Sequence, residues 1–230
     1  MIARLLAILL TGLFLFFSPG LALAQQQITI EFAAAWQNIP VKKQSAITDT
    51  FSGQVYRFAK IKQYISGIAF LRSGIPVGKD TGYYLIDILD EKSCRLQLEY
   101  KSLDFDEIQF LTGIDSLMQT RGVQGGALDP VNGMYWTWQS GYIHTKIEAG
   151  IEQNGKVKPL EFHLGGYRHP YNTVQRAAVK CAASRHVSLV FNLSPIVKYG
   201  EEKQCFRVMS PCKQAAEFSN VWSESVSSIP

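Results

Sequence analysis

The side chains best suited to metal chemistry in this chain are its histidines. There are four of them, namely His144, His163, His169 and His186. His144 and His163 lie on either side of Asn154-Gly155, a dipeptide that predicts a two-residue β-hairpin. In a regular hairpin of this kind His163 lies opposite Lys146 and therefore near His144. Because imidazoles suit copper better than calcium or magnesium, we predict that His144 and His163 are the metal ligands.

The remaining candidates for metal ligands have simpler explanations. His169 is in a loop next to Pro170 and is expected to be exposed. His186 begins a predicted strand, where a polar end residue is common. Single methionines in a β protein usually fill gaps in the core. This explanation covers Met118, Met134 and Met209.

One stretch, Gly125–Tyr142, organises the chain around these residues. Its first half is rich in turn formers, at Gly125-Gly126, Asp129-Pro130 and Asn132-Gly133. Its second half is aromatic and favours a half-buried strand. Strict alternation places on one face Trp136, Trp138, Ser140, Tyr142 and His144. A bulge at Gly141 would break that register, so the pairing of the two tryptophans is the firmer expectation, and we expect both to be at least partly buried.

The same stretch resembles the central motif of the MbnP-like copper-binding protein family, through the run GALDPVNGMYWTWQSGY. Four other segments fit the pattern of that family in the same order. They are Ile61–Ile68, Tyr83–Asp87, Phe105–Ser116 and Phe162–Gly166. The resemblance covers roughly residues 27 to 195, which is most of the chain after the leader.

The resemblance implies an exported bacterial protein that binds copper in copper acquisition or handling. It also implies that one tryptophan, Trp136 or Trp138, is oxidised to kynurenine, whose new amine helps histidines to hold copper. A di-haem peroxidase-like protein is the implied partner. The chain departs from the family in one respect, because the better-understood members also use histidines before the tryptophan, and here no histidine precedes His144. That ligand set is therefore incomplete.

The alternative interpretation is a structural or interaction module that keeps the β scaffold without metal. In that case Trp136 and Trp138 are core aromatics, and the histidines serve at the surface or in hydrogen bonds. An enzyme is not predicted, because the sequence contains no Gly-x-Ser-x-Gly elbow and no evident nucleophile–base pair. Carboxylate pairs such as Asp104 and Asp106 are equally well explained by turns at strand ends.

Four cysteines follow the leader, and an even number in an oxidising compartment suggests two disulfides. They are Cys94, Cys181, Cys205 and Cys212. Proximity in the sequence favours a bond between Cys205 and Cys212, which leaves Cys94 and Cys181 as the second pair. A copper–thiolate role is the competing interpretation, although the spacing contains no C-x-x-C element.

The N-terminus has the pattern of a secretory signal peptide. A short basic lead with Arg4 precedes the apolar run Leu5–Phe17, and Ala22-Leu23-Ala24 is a small-x-small cleavage site. The apolar run is too short for a comfortable transmembrane span. We therefore predict a signal peptide over residues 1–24, a mature protein that is periplasmic or secreted, and no stable membrane insertion after cleavage.

Composition and periodicity predict one all-β domain. A hydrophobic content of 47% with 18% charged residues is typical of a globular protein, and a formal net charge of +4 is too small to indicate nucleic-acid binding. About ten strand-like segments without a βαβ rhythm favour an antiparallel β-sandwich or barrel. The predicted domain covers residues 25–222, with a disordered tail over 223–230. Within it, residues 74–82 are predicted as a loop, and Val55–Leu71 as a strand that a turn near Lys60–Tyr64 interrupts.

Overall fold

A computed structural model describes residues 26–100, 104–138 and 141–229. The predicted signal peptide, residues 1–24, lies outside these ranges. Within them, two curled β-sheets pack face to face, and three α-helices cover parts of the sandwich. The helices are α1 (Ser116–Thr120), α2 (Leu193–Glu202) and α3 (Lys213–Glu224). The all-β sandwich that the sequence predicts is confirmed.

The smaller sheet has five strands, with β1 (Gln26–Trp36) at its centre. The others are β2 (Ile39–Pro40), β6 (Arg95–Tyr100), β12 (His186–Asn192) and β14 (Val226–Ile229). Strand β1 pairs antiparallel with β6 and parallel with β12. Alternate residues of β1, including Ile28, Ile30 and Phe32, are buried against the second sheet, as the period of two along this segment predicts.

The larger sheet has nine strands and is built around the 18-residue strand β4 (Val55–Arg72). The others are β3 (Ala46–Thr48), β5 (Ile75–Asp87), β7 (Glu107–Thr112), β8 (Tyr135–Trp136), β9 (Gly141–Gln153), β10 (Lys156–Gly165), β11 (Gln175–Lys180) and β13 (Arg207–Val208). The first half of β4 pairs with β9, and its second half pairs with β5 and β7. Strands β9 and β10 form the hairpin predicted at Asn154-Gly155, where both turn residues have positive φ, 52° and 71°.

Aromatic side chains join the two sheets. The Phe32 ring of β1 lies 5.9 Å from that of Phe110 on β7, in an edge-to-face arrangement. On its other side, Phe32 stacks on Phe191 of β12 at 6.4 Å. Phe191 in turn stacks on Trp222 of helix α3 at 4.5 Å. Such pairs add about 0.5–1.5 kcal/mol each beyond the burial of their area, so this group fixes both sheets and α3 to one core.

A second, smaller apolar cluster lies apart from the main core. The polypeptide between β7 and β9 supplies much of it, including Leu128, Met134 and Trp136. Strands β4 and β9 contribute Tyr64 and Tyr142, which meet edge to face at 5.9 Å. The central stretch of the sequence therefore covers the larger sheet and gives it a core of its own.

Three expectations about the strands were wrong. Residues 74–82 are not a loop, because most of them belong to β5, which continues directly from a turn at Ser73-Gly74. Strand β4 is not interrupted near Lys60–Tyr64; a β-bulge between Phe58 and Lys60 keeps it continuous. The sandwich is also not wholly antiparallel, since β1 pairs parallel with β12 and β10 with β13.

Residues 223 and 224 belong to a helix and residues 226–229 to a strand, contrary to the disordered tail predicted over 223–230, and residue 230 lies outside the described residues. Residues 213–224 form α3, and Val226–Ile229 form β14, which pairs with β12 at the edge of the smaller sheet. Helix α3 buries one face, which consists of the apolar Ala215, Phe218 and Trp222 together with Ser219 and Ser223. That spacing of i, i+3, i+4 and i+7 is present in the sequence and would have predicted the helix. Of the described residues, no helix is long and apolar enough to span a membrane.

Candidate functional site

The central stretch folds into two short turns before it reaches the tryptophans. One 3-10 turn spans Gly126–Leu128, and a second spans Pro130–Asn132 and ends at Gly133 with φ 72°. Lys62 of β4 donates to the carbonyl of Asn132 at 3.2 Å, and Lys146 of β9 donates to that of Gly133 at 2.9 Å. These two lysines hold the turn against the larger sheet and so set where the aromatic residues begin.

The two tryptophans occupy different environments. Trp136 is 6% exposed and rests on Gly165 of β10, where a Cβ atom would lie 2.7 Å from the indole ring. Trp138 is 64% exposed, and its ring packs on that of Trp136 at 5.7 Å. The expectation that both are at least partly core is confirmed for Trp136 and wrong for Trp138. The reason is that β8 ends at Trp136 and the chain turns at once, so the assumed alternation does not continue. Ser140 lies outside the described residues.

Tyrosines surround the buried tryptophan. The Tyr135 ring lies 5.0 Å from that of Tyr142, in an edge-to-face arrangement. The Tyr142 hydroxyl accepts the backbone N–H of Gln124 at 3.0 Å. Burial raises the pKa of Tyr142, which stays a neutral phenol at physiological pH. The site is therefore a buried aromatic cluster with one exposed indole at its edge.

His144 is completely buried, and both of its ring nitrogens are hydrogen-bonded. Gln119 of α1 accepts the backbone N–H of Tyr142 through Oε1, so its amide nitrogen donates to Nε2 of His144. Thr173 donates its hydroxyl hydrogen to the Gly166 carbonyl and so accepts the Nδ1–H of His144 at 2.9 Å. This pattern assigns a neutral ring with its proton on Nδ1. Burial lowers the pKa of His144 to about 3, which agrees with the neutral form.

A buried glutamine, Gln63, donates a hydrogen bond to the backbone of His144. The amide nitrogen of Gln63 donates to the carbonyls of Tyr64 and His144, at 2.7 and 3.2 Å. Its oxygen accepts the Thr145 hydroxyl and the indole N–H of Trp222, at 2.7 and 2.8 Å. Every hydrogen-bonding group of this fully buried amide is paired, as a stable core requires. No sequence signal indicated Gln63, because its partners come from β4, β9 and α3.

His163 lies opposite Lys146, as the hairpin register predicts. Its Nε2–H donates to Glu148 Oε1 at 3.0 Å, so the lone pair of the neutral ring is on Nδ1. Glu148 also pairs with Lys60 at 2.9 Å and with Lys146 at 3.6 Å. Burial and the nearby Lys146 charge lower the pKa of His163 against the opposing effect of Glu148, which favours the neutral ring. For Glu148 itself, burial acts to raise the pKa, but bonding to Lys60 and the Lys146 charge lower it overall.

The two predicted ligands lie on the two strands of the β9–β10 hairpin but have different hydrogen-bond partners. His144 bonds to Gln119 and Thr173, whereas His163 bonds to Glu148, and no described hydrogen bond joins the two sites. Over residues 26–229, leaving out the gaps, no group of three or more His, Cys, Asp or Glu side chains could hold a metal ion together. His169 is exposed and His186 is exposed at the start of β12, as expected.

The two predicted disulfides are not confirmed, since all four cysteines are free thiols. Cys94 is buried, with its sulfur 3.6 Å from the carbonyl of Glu91, and Cys181 is half-buried after β11. The Cys212 sulfur accepts the N–H of Ala215 and caps α3, while the Cys205 sulfur approaches the Arg207 carbonyl. The seven-residue separation of Cys205 and Cys212 does not bring their sulfurs into a bond, because the chain between them forms β13 on the edge of β10.

The fold is a β-sandwich of two sheets whose larger sheet carries an aromatic-rich covering between β7 and β9. The chain belongs to the MbnP family, whose profile matches residues 25–207. Among solved structures it is similar to MbnP from Methylosinus trichosporium, with a TM-score of 0.55 and 15% identity over 76% of this chain and 78% of that chain. Comparison with curated proteins gave no match.

Proposed function

We propose that this chain is an exported, periplasmic or secreted copper-binding protein, and that it acts by binding and not by catalysis. Membership of the MbnP family supports the assignment at the level of the family. The pair formed by His163 and Glu148 supports copper binding at particular residues. A carboxylate that holds one ring N–H fixes the tautomer and orientation of a histidine and leaves the other nitrogen as a ligand.

Of the two predicted histidine ligands, one suits copper and the other does not. His144 does not fit as a ligand, because its one lone pair already accepts the Gln119 amide in a fully buried site. His163 fits, since it is neutral and presents the Nδ1 lone pair. A second donor would come from oxidation of a tryptophan to kynurenine, whose aromatic amine is a nitrogen ligand. Trp138 is the better candidate for that oxidation, because its indole is 64% exposed whereas that of Trp136 is 6% exposed.

Copper binding should depend on His163. In protein produced without an oxidising partner, we expect weak binding that His163→Ala reduces at least about tenfold and that Glu148→Gln reduces by a similar factor through loss of ring orientation. His169→Ala is the matched control, because it removes an exposed imidazole from a loop. Competition titration with a copper chelator measures each dissociation constant. Equal losses for His163→Ala and His169→Ala would contradict this assignment.

A second candidate function is an interaction module without metal. Four large apolar side chains are exposed on and beside the central stretch, namely Leu117 at 65%, Val123 at 55%, Val131 at 86% and Trp138 at 64%. Exposed apolar groups of this kind favour contact with another protein. The partner that we propose for either function is a di-haem peroxidase-like protein. Loss of partner binding in Trp138→Ala with unchanged copper affinity would favour the interaction module.

A further inference from the structure

The sequence contains two Asn-Gly dipeptides, and the structure places them in different surroundings. One is Asn132-Gly133, at the end of a 3-10 turn of the central stretch, and the other is Asn154-Gly155, at the tip of the β9–β10 hairpin. Asparagine before glycine is the pair of residues most open to spontaneous deamidation, because glycine has no side chain to hinder its backbone nitrogen. The surroundings of each pair therefore decide whether it reacts.

The side chain of Asn132 is held by the fold. Its amide nitrogen donates to the carbonyls of Gly126 and Ala127, at 3.0 and 3.1 Å. The backbone nitrogen of Gly133 donates to the Pro130 carbonyl at 2.9 Å. Deamidation requires this nitrogen to leave its acceptor and approach the side-chain carbon of Asn132, while the departing amide gives up two more hydrogen bonds. This pair therefore reacts only when the turn opens.

Asn154 has no comparable protection. Both Asn154 and Gly155 are exposed, and among the residues that the structure describes the Asn154 side chain has no hydrogen-bond partner. The residues that follow are exposed as well, Val157 by 67%. The first pair of the ladder, Gln153 with Lys156, lies at the free end of the hairpin, where strands open at little cost in free energy. The Gly155 nitrogen therefore reaches the Asn154 side chain without disturbing the core.

We propose that Asn154 is a site of spontaneous deamidation in the folded protein and that Asn132 is not. The backbone nitrogen of Gly155 forms a bond to the side-chain carbon of Asn154. The bond from that carbon to its amide nitrogen breaks, and ammonia leaves with the Gly155 proton. Water then opens the resulting cyclic imide at either of its carbonyls. One opening gives aspartate, and the other gives isoaspartate, in which the chain continues through the former side chain.

The two products should affect the hairpin differently. Aspartate keeps the backbone of the turn, and Asp-Gly suits a two-residue hairpin as Asn-Gly does. Isoaspartate adds a carbon atom to the backbone, so it no longer fits a turn whose two residues have φ of 52° and 71°. The pairs nearest the turn, such as Gln153 with Lys156, should then fray. His163 pairs with Lys146 much farther along the hairpin, so copper binding should be unaffected and the two proposals are tested separately.

Peptide mapping by mass spectrometry measures both asparagines in the same sample. The protein is incubated at pH 8, either folded or unfolded in guanidinium chloride, and the deamidated fraction of each peptide is followed over time. In the folded protein Asn154 should react at least about tenfold faster than Asn132, a ratio that corresponds to an opening free energy of about 1.4 kcal/mol at the protected turn. In guanidinium chloride the two rates should become similar, because both pairs then have the same chemistry.

Asn154→Gln is the control variant, because glutamine has to close a larger ring and so reacts more slowly. The chain already holds glutamine at positive φ at Gln37, Gln44 and Gln204, so the substitution should leave the turn intact. It should remove the product at the tip of the hairpin without changing the slow reaction at Asn132. The proposal would be overturned by similar rates at Asn132 and Asn154 in the folded protein. Absence of product at Asn154 in the folded protein, while the unfolded chain reacts at both sites, would overturn it as well.

Discussion

Trp136→Ala should lower the free energy of unfolding by about 3–5 kcal/mol, whereas Trp138→Ala should change it by less than about 1 kcal/mol. The physical reason is the difference in burial between the two indoles. Trp136 fills space between Gly165 and the tyrosines of the second cluster, so its removal leaves a cavity. Trp138 is 64% exposed and mainly loses its packing on Trp136. Urea denaturation of the metal-free protein measures both values.

The two variants control for each other, since each removes one indole from the same turn. A comparable loss of stability in both would mean that Trp138 is packed in solution and is not available for oxidation. A negligible loss in Trp136→Ala would mean that the second cluster contributes little to the fold. Only the expected asymmetry is compatible with a buried tryptophan that supports an exposed one.

The difference in burial between Trp136 and Trp138 could not be predicted from the sequence. Alternation predicts a shared face only while a strand continues, and β8 contains two residues. The hairpin at Asn154-Gly155, in contrast, was predicted correctly together with the pairing of His163 and Lys146. A two-residue turn fixes register through local geometry alone, so that prediction needed no knowledge of the rest of the fold.

The partners of the two histidines depend on segments distant in the chain. His144 meets Gln119 and Thr173, which are 25 and 29 residues away. The charge environment of His163 likewise includes Lys60, because β4 lies beside β9 in the sheet. Nothing in the sequence gives this order of strands. Residue type alone therefore gives two candidate ligands, and the structure separates a hydrogen-bonded core histidine, His144, from one whose ring is oriented by a carboxylate, His163.

The two histidines lie in different surroundings, so their substitution should have different effects. His144 connects α1 and the loop of residues 166–173 to β9. His163 lies on the other strand of the same hairpin, near Glu148, Lys60 and Lys146. A change at His144 should therefore act on stability, and a change at His163 should act on metal affinity. The two effects are measurable in separate experiments.

The stability of the protein should fall in acid through His144. Its pKa in the folded protein is about 3, compared with 6.5 for an ordinary histidine, so the unfolded chain binds a proton that the folded protein excludes. The stabilisation is fully present above pH 6.5 and is lost as the pH falls toward 3, at up to about 1.4 kcal/mol per pH unit. Between pH 7 and pH 5 this amounts to about 2 kcal/mol.

His144→Gln isolates this contribution, because glutamine has no proton to bind in this range. The variant should be less stable than the native protein at pH 7, since it loses hydrogen bonds, but its stability should fall less steeply with acid. Urea denaturation at pH 7, 6 and 5 gives both slopes, and His169→Gln should retain the native slope because its ring is exposed. His163, whose pKa is also lowered, contributes equally to the native protein and to His144→Gln and cancels in the comparison. Parallel slopes for the native protein and His144→Gln would show that the His144 ring accepts a proton without opening the cluster, contrary to the hydrogen bonds that hold it neutral.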